Sequence, residues 1–284
     1  MTTEMVRRSG TRGLYPNFLA RWRMAHPPAL ELVDVVVERE AVRALDGLTL
    51  TLESGRHLAV LGPNGSGKST FVDLITRAVY PVQDRPGSLL RVFGRERWEL
   101  LELRSLLGVV TNDLVRQCTR PVTALTTALS GFFGSVGLWP HHEVAPWQKA
   151  RALEVLELLE VGHLADRLLT QLSSGEARRA VMARALVSQP RLLLLDEPMN
   201  SLDVRARREV RAAMRRLAAQ GVSLLLVTHE LEDIVPDIDR VVTLRAGRLL
   251  HDGPRAEVLR PGPLRALFGL ELEVREWDGL SHAR

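Results

Sequence analysis

Apolar and polar positions alternate over LELVDVVV and again over ALDGLTLTLE, the period of half-buried strands in an antiparallel β layer. HLAVLG differs: it is a short apolar run stopped by glycine, as in a strand buried on both faces of a parallel sheet. GPNGSGKST follows, and FVDLITRAVY then takes up helical spacing. SLLRVFG and LGVVT read as further strands flanking the helix-like ERWELLELRSLL. Residues 121–170 turn mostly helical, through PWQKARALEVLELLEVGHL and ADRLL. Next come QLSSGE and a helix to about Val187, then the buried strand RLLLLD. The amphipathic helix VRARREVRAAMRRLAAQ is ended by Gly221, and VSLLLVT is another core strand. RVVTLRAGRLLHDG reads as a hairpin turning at Ala246-Gly247. Strands alternating with helices predict an α/β sheet with an antiparallel β layer and a helical insertion.

One stretch invites a membrane reading. PVTALTTALSGFFGSVGLWP, from Pro121 to Pro140, carries no charge over about the length of a bilayer span. Its glycines, threonines and serines dilute the hydrophobicity and prolines bound it, so a partner-facing or core helix is expected instead. Within it Phe132, Phe133 and Trp139 are candidate docking residues, with ordinary packing among helices as the alternative reading. Residues 1–23 are basic, have no apolar core segment and so form no secretory signal. They are expected to be a disordered extension, or to precede a natural start at Met24, leaving 24–284 as the domain.

Composition narrows the partners. Formal charge is +4 from 38 basic and 34 acidic residues. Only Lys68 and Lys149 are lysines, and the arginines are interspersed with acids, the pattern of a solvated surface more than of a nucleic-acid groove. No nucleic-acid partner is expected. The single cysteine, Cys118, rules out an internal disulfide framework and suits a reducing compartment.

The chemistry begins at Gly62. Gly62, Pro63, Asn64, Gly65, Ser66, Gly67, Lys68, Ser69 and Thr70 satisfy G-x-x-x-x-G-K-[ST] after a strand and at the start of a helix. Glycines let backbone N–H groups turn inward around phosphates, and the helix N-terminus adds partial positive charge. Lys68 is expected to reach the β- and γ-phosphates and the Ser69 hydroxyl to ligand Mg²⁺. RLLLLDEP ends a buried strand on two carboxylates. Asp196 is assigned to Mg²⁺ through water, and Glu197 to orienting and deprotonating the attacking water. Alone, such a pair is equally a helix cap. His229, in VTHE after the next core strand, is assigned to the γ-phosphate. Ser173-x-x-Glu176 is by itself a capping box, and whether its amides also serve a phosphate depends on the other motifs.

The set GPNGSGKST, LSSGE, LLLLDEP, SLD and THE, in that order between about Leu30 and Phe268, resembles the nucleotide-binding subunit of ABC (ATP-binding cassette) transporters. The resemblance implies a P-loop NTPase cassette with a RecA-like core and an antiparallel β subdomain. It also implies a helical subdomain at about 113–187 and a C-terminal extension at about 254–284. It implies ATP and Mg²⁺, a second cassette subunit (a homodimer), and separate membrane permease subunits. The location implied is cytoplasmic, peripheral at the inner face of the cell membrane. Under this resemblance Ser173 and the amide of Gly175 bind the ATP held by the other subunit, and Asp203 lies across the same seam. The tail from Gly253 resembles importer ATPases for iron-siderophore, haem and cobalamin, and SGFFGSVGLW resembles molybdate-type cytosolic cassettes.

The sequence departs from the family pattern in four places. Ser174 and Glu176 replace glycine and glutamine of the signature. Asn112 stands where a glutamine links catalysis to the permease, shorter by one methylene, about 1.5 Å. Arg39 stands where an aromatic ring stacks on adenine; it is expected to stack through its guanidinium plane or to pair with Glu38 or Glu40. Weak adenine selectivity follows as an expectation. A soluble cassette without a permease, coupling dimer closure to a regulatory or repair role, is the competing function. A P-loop kinase is disfavoured because LSSGE and THE would then be coincidences.

Overall fold

The computed structural model describes residues 27–40, 42–83 and 85–283; residues 1–23 and Met24, discussed above, lie outside this range. Strands β1 (Leu30–Arg39) and β2 (Val42–Leu52) pair antiparallel, in the alternating half-buried pattern expected. β3 (Leu58–Leu61) is buried throughout and leads through the glycine loop into α1 (Lys68–Ile75). β4 (Leu89–Val92) returns to β1, completing a three-stranded sheet of order β2-β1-β4. After α2 (Leu100–Leu106) come β5 (Leu107–Val110), α3 (Asn112–Cys118), α4 (Ala124–Ser130), α5 (Pro146–Leu158) and α6 (Ser174–Leu186). β6 (Leu192–Asp196), α7 (Val204–Ala219) and β7 (Ser223–Thr228) follow, then the hairpin β8 (Arg240–Arg245) and β9 (Arg248–Pro254). The second sheet has six strands in the order β5-β6-β7-β3-β8-β9, parallel except for the β8–β9 hairpin.

The leucine-rich core strands divide their side chains between two layers, because successive residues of a strand point to opposite faces. Leu193 and Leu195 of β6, with Leu224 and Leu226 of β7, pack into the helical side around Val155, Val181 and Met214. Leu192, Leu194, Leu225 and Val227 face the other way, onto Phe71 and the inner side of the antiparallel sheet. A sheet covered on both faces needs no polar alternation, which is why these strands read as unbroken apolar runs. Each such leucine contributes about 2 kcal/mol of burial.

The uncharged stretch resolves into the short α4, a 3-10 turn at 131–133 and irregular chain. Ala124, Ala128 and Leu129 enter the core, and a side chain at Gly131 would meet the Arg184 carbonyl at 2.0 Å. Among the described residues no helix is long and apolar enough to cross a membrane. The tail folds into α8 (Arg255–Val258), α9 (Pro261–Phe268) and a hairpin, β10 (Val274–Trp277) with β11 (Leu280–Ala283). That hairpin was not anticipated, although its Asp278-Gly279 turn, with φ of 54° and 72°, is a standard hairpin signal.

Candidate nucleotide site

The five parallel strands end on one side of the sheet, and the candidate chemistry is placed just beyond four of them, β3, β5, β6 and β7. β3 runs into Gly62, whose N–H donates to the Thr228 carbonyl at 3.2 Å. A Cβ on Gly62 would lie 2.4 Å from the Leu244 carbonyl, and one on Gly67, at φ 106°, would lie 2.6 Å from that of Ala44. The glycines are therefore required by backbone approach as well as by the turn. The loop is braced from outside: Gly247 donates to the Ser66 carbonyl at 2.9 Å, and Asp46 to that of Gly247 at 2.9 Å. No side chain caps α1, so its first amides face the loop's concavity. Lys68 is buried and donates from Nζ to the carbonyls of Gly62 (2.8 Å) and Pro63 (3.0 Å). Burial pushes its pKa down, opposed by Glu197, whose Oε1 is 3.7 Å away.

Glu197 turns out of β6 with a left-handed φ of 47°, while its N–H still donates to the Val227 carbonyl at 2.8 Å. Its Oε1 lies 3.0 Å from His229 Nδ1, and its Oε2 accepts from Asn200 Nδ2 at 3.3 Å. Asp196, one residue inward, is pushed up to about 6, chiefly by burial and then by the Glu197 charge beside it. Two adjacent acids with Lys68 as the nearby cation form an electron-rich corner. A hydroxyl at Ser69 and the Asp196 carboxylate are hard oxygen donors of the kind that hold Mg²⁺ together with phosphate oxygens. The residues present fit that ion.

A cavity of about 450 Å³ gathers Asn64, Gly65, Gly67, Lys68, Ser69, Thr70 and Glu197 of the predicted set, walled on the other side by Val42, Arg43 and Ala44. His229 reaches this group through Glu197 and itself lines a neighbouring hollow of about 270 Å³ with Glu230, Phe268 and Leu270. Ser173, Gly175 and Asp203 do not line the cavity. They form a second cluster, where a Cβ on Gly175 would lie 2.8 Å from that of Ala206, just beyond Asp203. There Ser173 Oγ accepts from the Glu176 N–H at 3.3 Å, and the Glu176 carboxylate accepts from Ser173 N–H at 2.8 Å. The box is closed, and the Ser173 amide holds the Glu176 carboxyl below its usual range. Asp203 caps α7, accepting from the Ala206 N–H at 2.8 Å.

Asn112 stands at the start of α3 and accepts from Arg178 Nη1 at 2.8 Å; Arg178 Nη2 also reaches the Asn200 carbonyl at 3.4 Å. Sequence reading missed Arg178, Asn200, Arg207 and Glu230. An arginine in an alanine-rich helix carries no mark of burial until its neighbours are known. Arg39 pairs with Asp73 and not with Glu38 or Glu40, the ion-pair partners expected as the alternative to guanidinium stacking; Glu38 faces Arg43 at 3.6 Å. The Arg39–Asp73 pair links β1 to α1 and reflects strand–helix packing invisible to local sequence. Phe132 packs edge-on against Trp147 and Phe133 stacks on His142, whereas Trp139 is exposed.

The sequence profile of the family described as "ABC transporter" matches residues 45–200. The hemin import ATP-binding protein HmuV of Bordetella avium is 34% identical over 259 residues, covering 86% of this chain and 94% of that protein. The cobalt import ATP-binding protein CbiO of Rhodobacter capsulatus is 34% identical over 243 residues, covering 86% and 84%. In fold, an ATP-binding cassette of an ABC transporter in its ADP conformation superposes with a TM-score of 0.73 at 22% identity, over 86% of this chain and 98% of that one. The glycine loop, the acid pair and this breadth of similarity lead to one conclusion: the chain belongs to the ABC transporter family and is one of its ATPases.

Proposed function

We propose that two copies of this chain close around ATP and that hydrolysis in the closed dimer powers import of a solute through separate membrane permease subunits. The observation that carries this reading is the division of the candidate residues into two clusters within one chain. The phosphate loop, Glu197 and His229 form one half-site. Ser173, Gly175 and Asp203 form the other, outside the cavity they are meant to serve. A second copy in the facing orientation supplies the missing half, so binding and dimer closure become one event.

In the half-site with the loop, the amides opening α1 and Lys68 hold the phosphates. Ser69, with Asp196 through water, would hold Mg²⁺, which would supply neutralisation of phosphate charge. Glu197 accepts a proton from the attacking water, and His229, steadied through Nδ1 on Glu197, offers Nε2 to the γ-phosphate. The names of the hemin- and cobalt-import relatives support import as the direction. A groove of about 550 Å³ supports a docking place for the permease. It runs between α1, α2 and the helical segment, lined by Asp73, Arg77, Leu103, Arg104, Gln117 and Arg184, next to the Thr111 and Asp113 that flank Asn112.

The test is Glu197→Gln. The amide keeps the shape but cannot take a proton, so with ATP and Mg²⁺ the variant should sediment as a dimer and turn over at under about a hundredth of the wild-type rate. A strictly monomeric variant at high protein and ATP concentration overturns the dimer, and wild-type turnover overturns the base.

A further inference from the structure

His229 stands between two carboxylates. Nδ1 is 3.0 Å from Glu197, the contact the proposed chemistry uses. Nε2 is 3.8 Å from Oε1 of the next residue, Glu230. That second carboxylate is held by Arg207, from the first turns of α7: Nη1 pairs with Oε2, and Nη2 donates to Oε1 at 3.1 Å. The fork occupies both Glu230 oxygens, the strongest form of arginine–carboxylate contact. The same guanidinium donates from Nε to the Leu202 carbonyl at 3.2 Å, one residue before Asp203. Glu230 is fixed from its backbone as well, its N–H donating to Thr228 Oγ1 at 3.1 Å.

We propose that Arg207 is a positioning residue that holds the Glu230 carboxylate off His229 Nε2 and so keeps that nitrogen free for the γ-phosphate. Without the fork, Glu230 is a half-exposed anion one side-chain rotation from Nε2. It then becomes the nearest acceptor for Nε2, so that the imidazole is held by a carboxylate at each nitrogen and withdrawn from phosphate. Because Arg207 also grips Leu202, one side chain sets both the His229 ring and the loop leading to Asp203. The inference rests on the ATPase reading above, in which His229 faces phosphate.

The test is a rescue. Arg207→Gln should lower kcat about tenfold with KM for ATP within about twofold, since a displaced transition-state contact costs rate more than binding. Adding Glu230→Gln removes the competing charge and should bring kcat back to within about threefold of wild type. A structural role for Arg207 predicts no such recovery. R207Q with wild-type kcat, or a double variant no faster than R207Q, overturns the proposal. Arg207→Lys keeps a charge on Glu230 without the fork and should lose less rate than R207Q; a larger loss also counts against the proposal. Histidine ¹⁵N NMR gives a readout independent of turnover. The His229 Nε2 resonance should move in R207Q and return in the double variant, and an unmoved resonance overturns the idea. Absence of hydrolysis by the wild-type chain would instead count against the ATPase reading, leaving the NMR result to judge Arg207.

Discussion

Arg39 shows how one side chain can be diverted from the role its position suggests. Its guanidinium is committed to Asp73 on α1, leaving Val42, Arg43 and Ala44 as the cavity wall opposite the phosphate loop. Among the described residues no aromatic ring lines that cavity, so they give the base little stacking and little that distinguishes adenine from guanine. GTP should be hydrolysed with kcat/KM within about threefold of ATP, and a preference for ATP above about tenfold would exclude this account. Asp233 is a residue-scale case of another kind. It is buried, accepts from Thr228 Oγ1 at 2.7 Å through one oxygen, and has no hydrogen-bond partner at Oδ1 among the described residues. Burial pushes its pKa up to about 6 from 3.8. The folded chain therefore holds this proton more tightly than the unfolded one, and stability from this group is greatest below pH 3.8. It is lost as pH rises through 6, about 3 kcal/mol in all. Asp233→Asn should thus gain on wild type between pH 4.5 and 7.5 in urea unfolding, and parallel curves across that range would refute the assignment.

At the level of elements, α6 begins with two functions in one turn. The box between Ser173 and Glu176 satisfies the helix's own first amides, and the Glu176 charge complements the helix dipole. Replacing the family's glutamine by Glu176 is thereby explained locally: the carboxylate folds back onto Ser173 N–H. Ser173→Ala should cost about 1 kcal/mol of stability, whereas Glu176→Gln, which preserves the box, should stay within about 0.5 kcal/mol. Equal losses in chemical denaturation would mean that charge, not capping, sets the helix start. α7 contrasts with α6: Asp203 caps it, and its inner face carries Val210, Met214 and Leu217 into the core while Arg207 turns toward Glu230.

Over the whole molecule, the sheet edge sets the arrangement. β3, β6 and β7 deliver the phosphate loop, the acid pair and His229 to one place because they are adjacent and parallel. The helical insertion carries Ser173 and Gly175 away from that place, and the proposed pairing of two half-sites rests on this separation. Turnover should accordingly rise faster than linearly with protein concentration in the Glu197→Gln dimer's concentration range, the kinetic counterpart of the sedimentation test. Specific activity independent of dilution below that range would point to catalysis by single chains.

Much of this is legible in the sequence itself. GPNGSGKST announces itself because close backbone approach admits only glycine at Gly62 and Gly67, and RLLLLD and VSLLLVT because a sheet covered on both faces needs unbroken apolar runs. The hairpin at Ala246-Gly247 and the end of α7 at Gly221 are likewise local, set by positive φ. What local sequence could not decide were contacts between residues far apart in the chain. Arg39 with Asp73, Arg178 with Asn112, and Arg207 with Glu230 each depend on which elements the sheet brings side by side. An arginine's long, flexible stem reaches many partners, and its spacing along a helix does not name one. Motif residues are thus determined by backbone geometry that sequence encodes directly, while the side chains that hold them in place are chosen by packing.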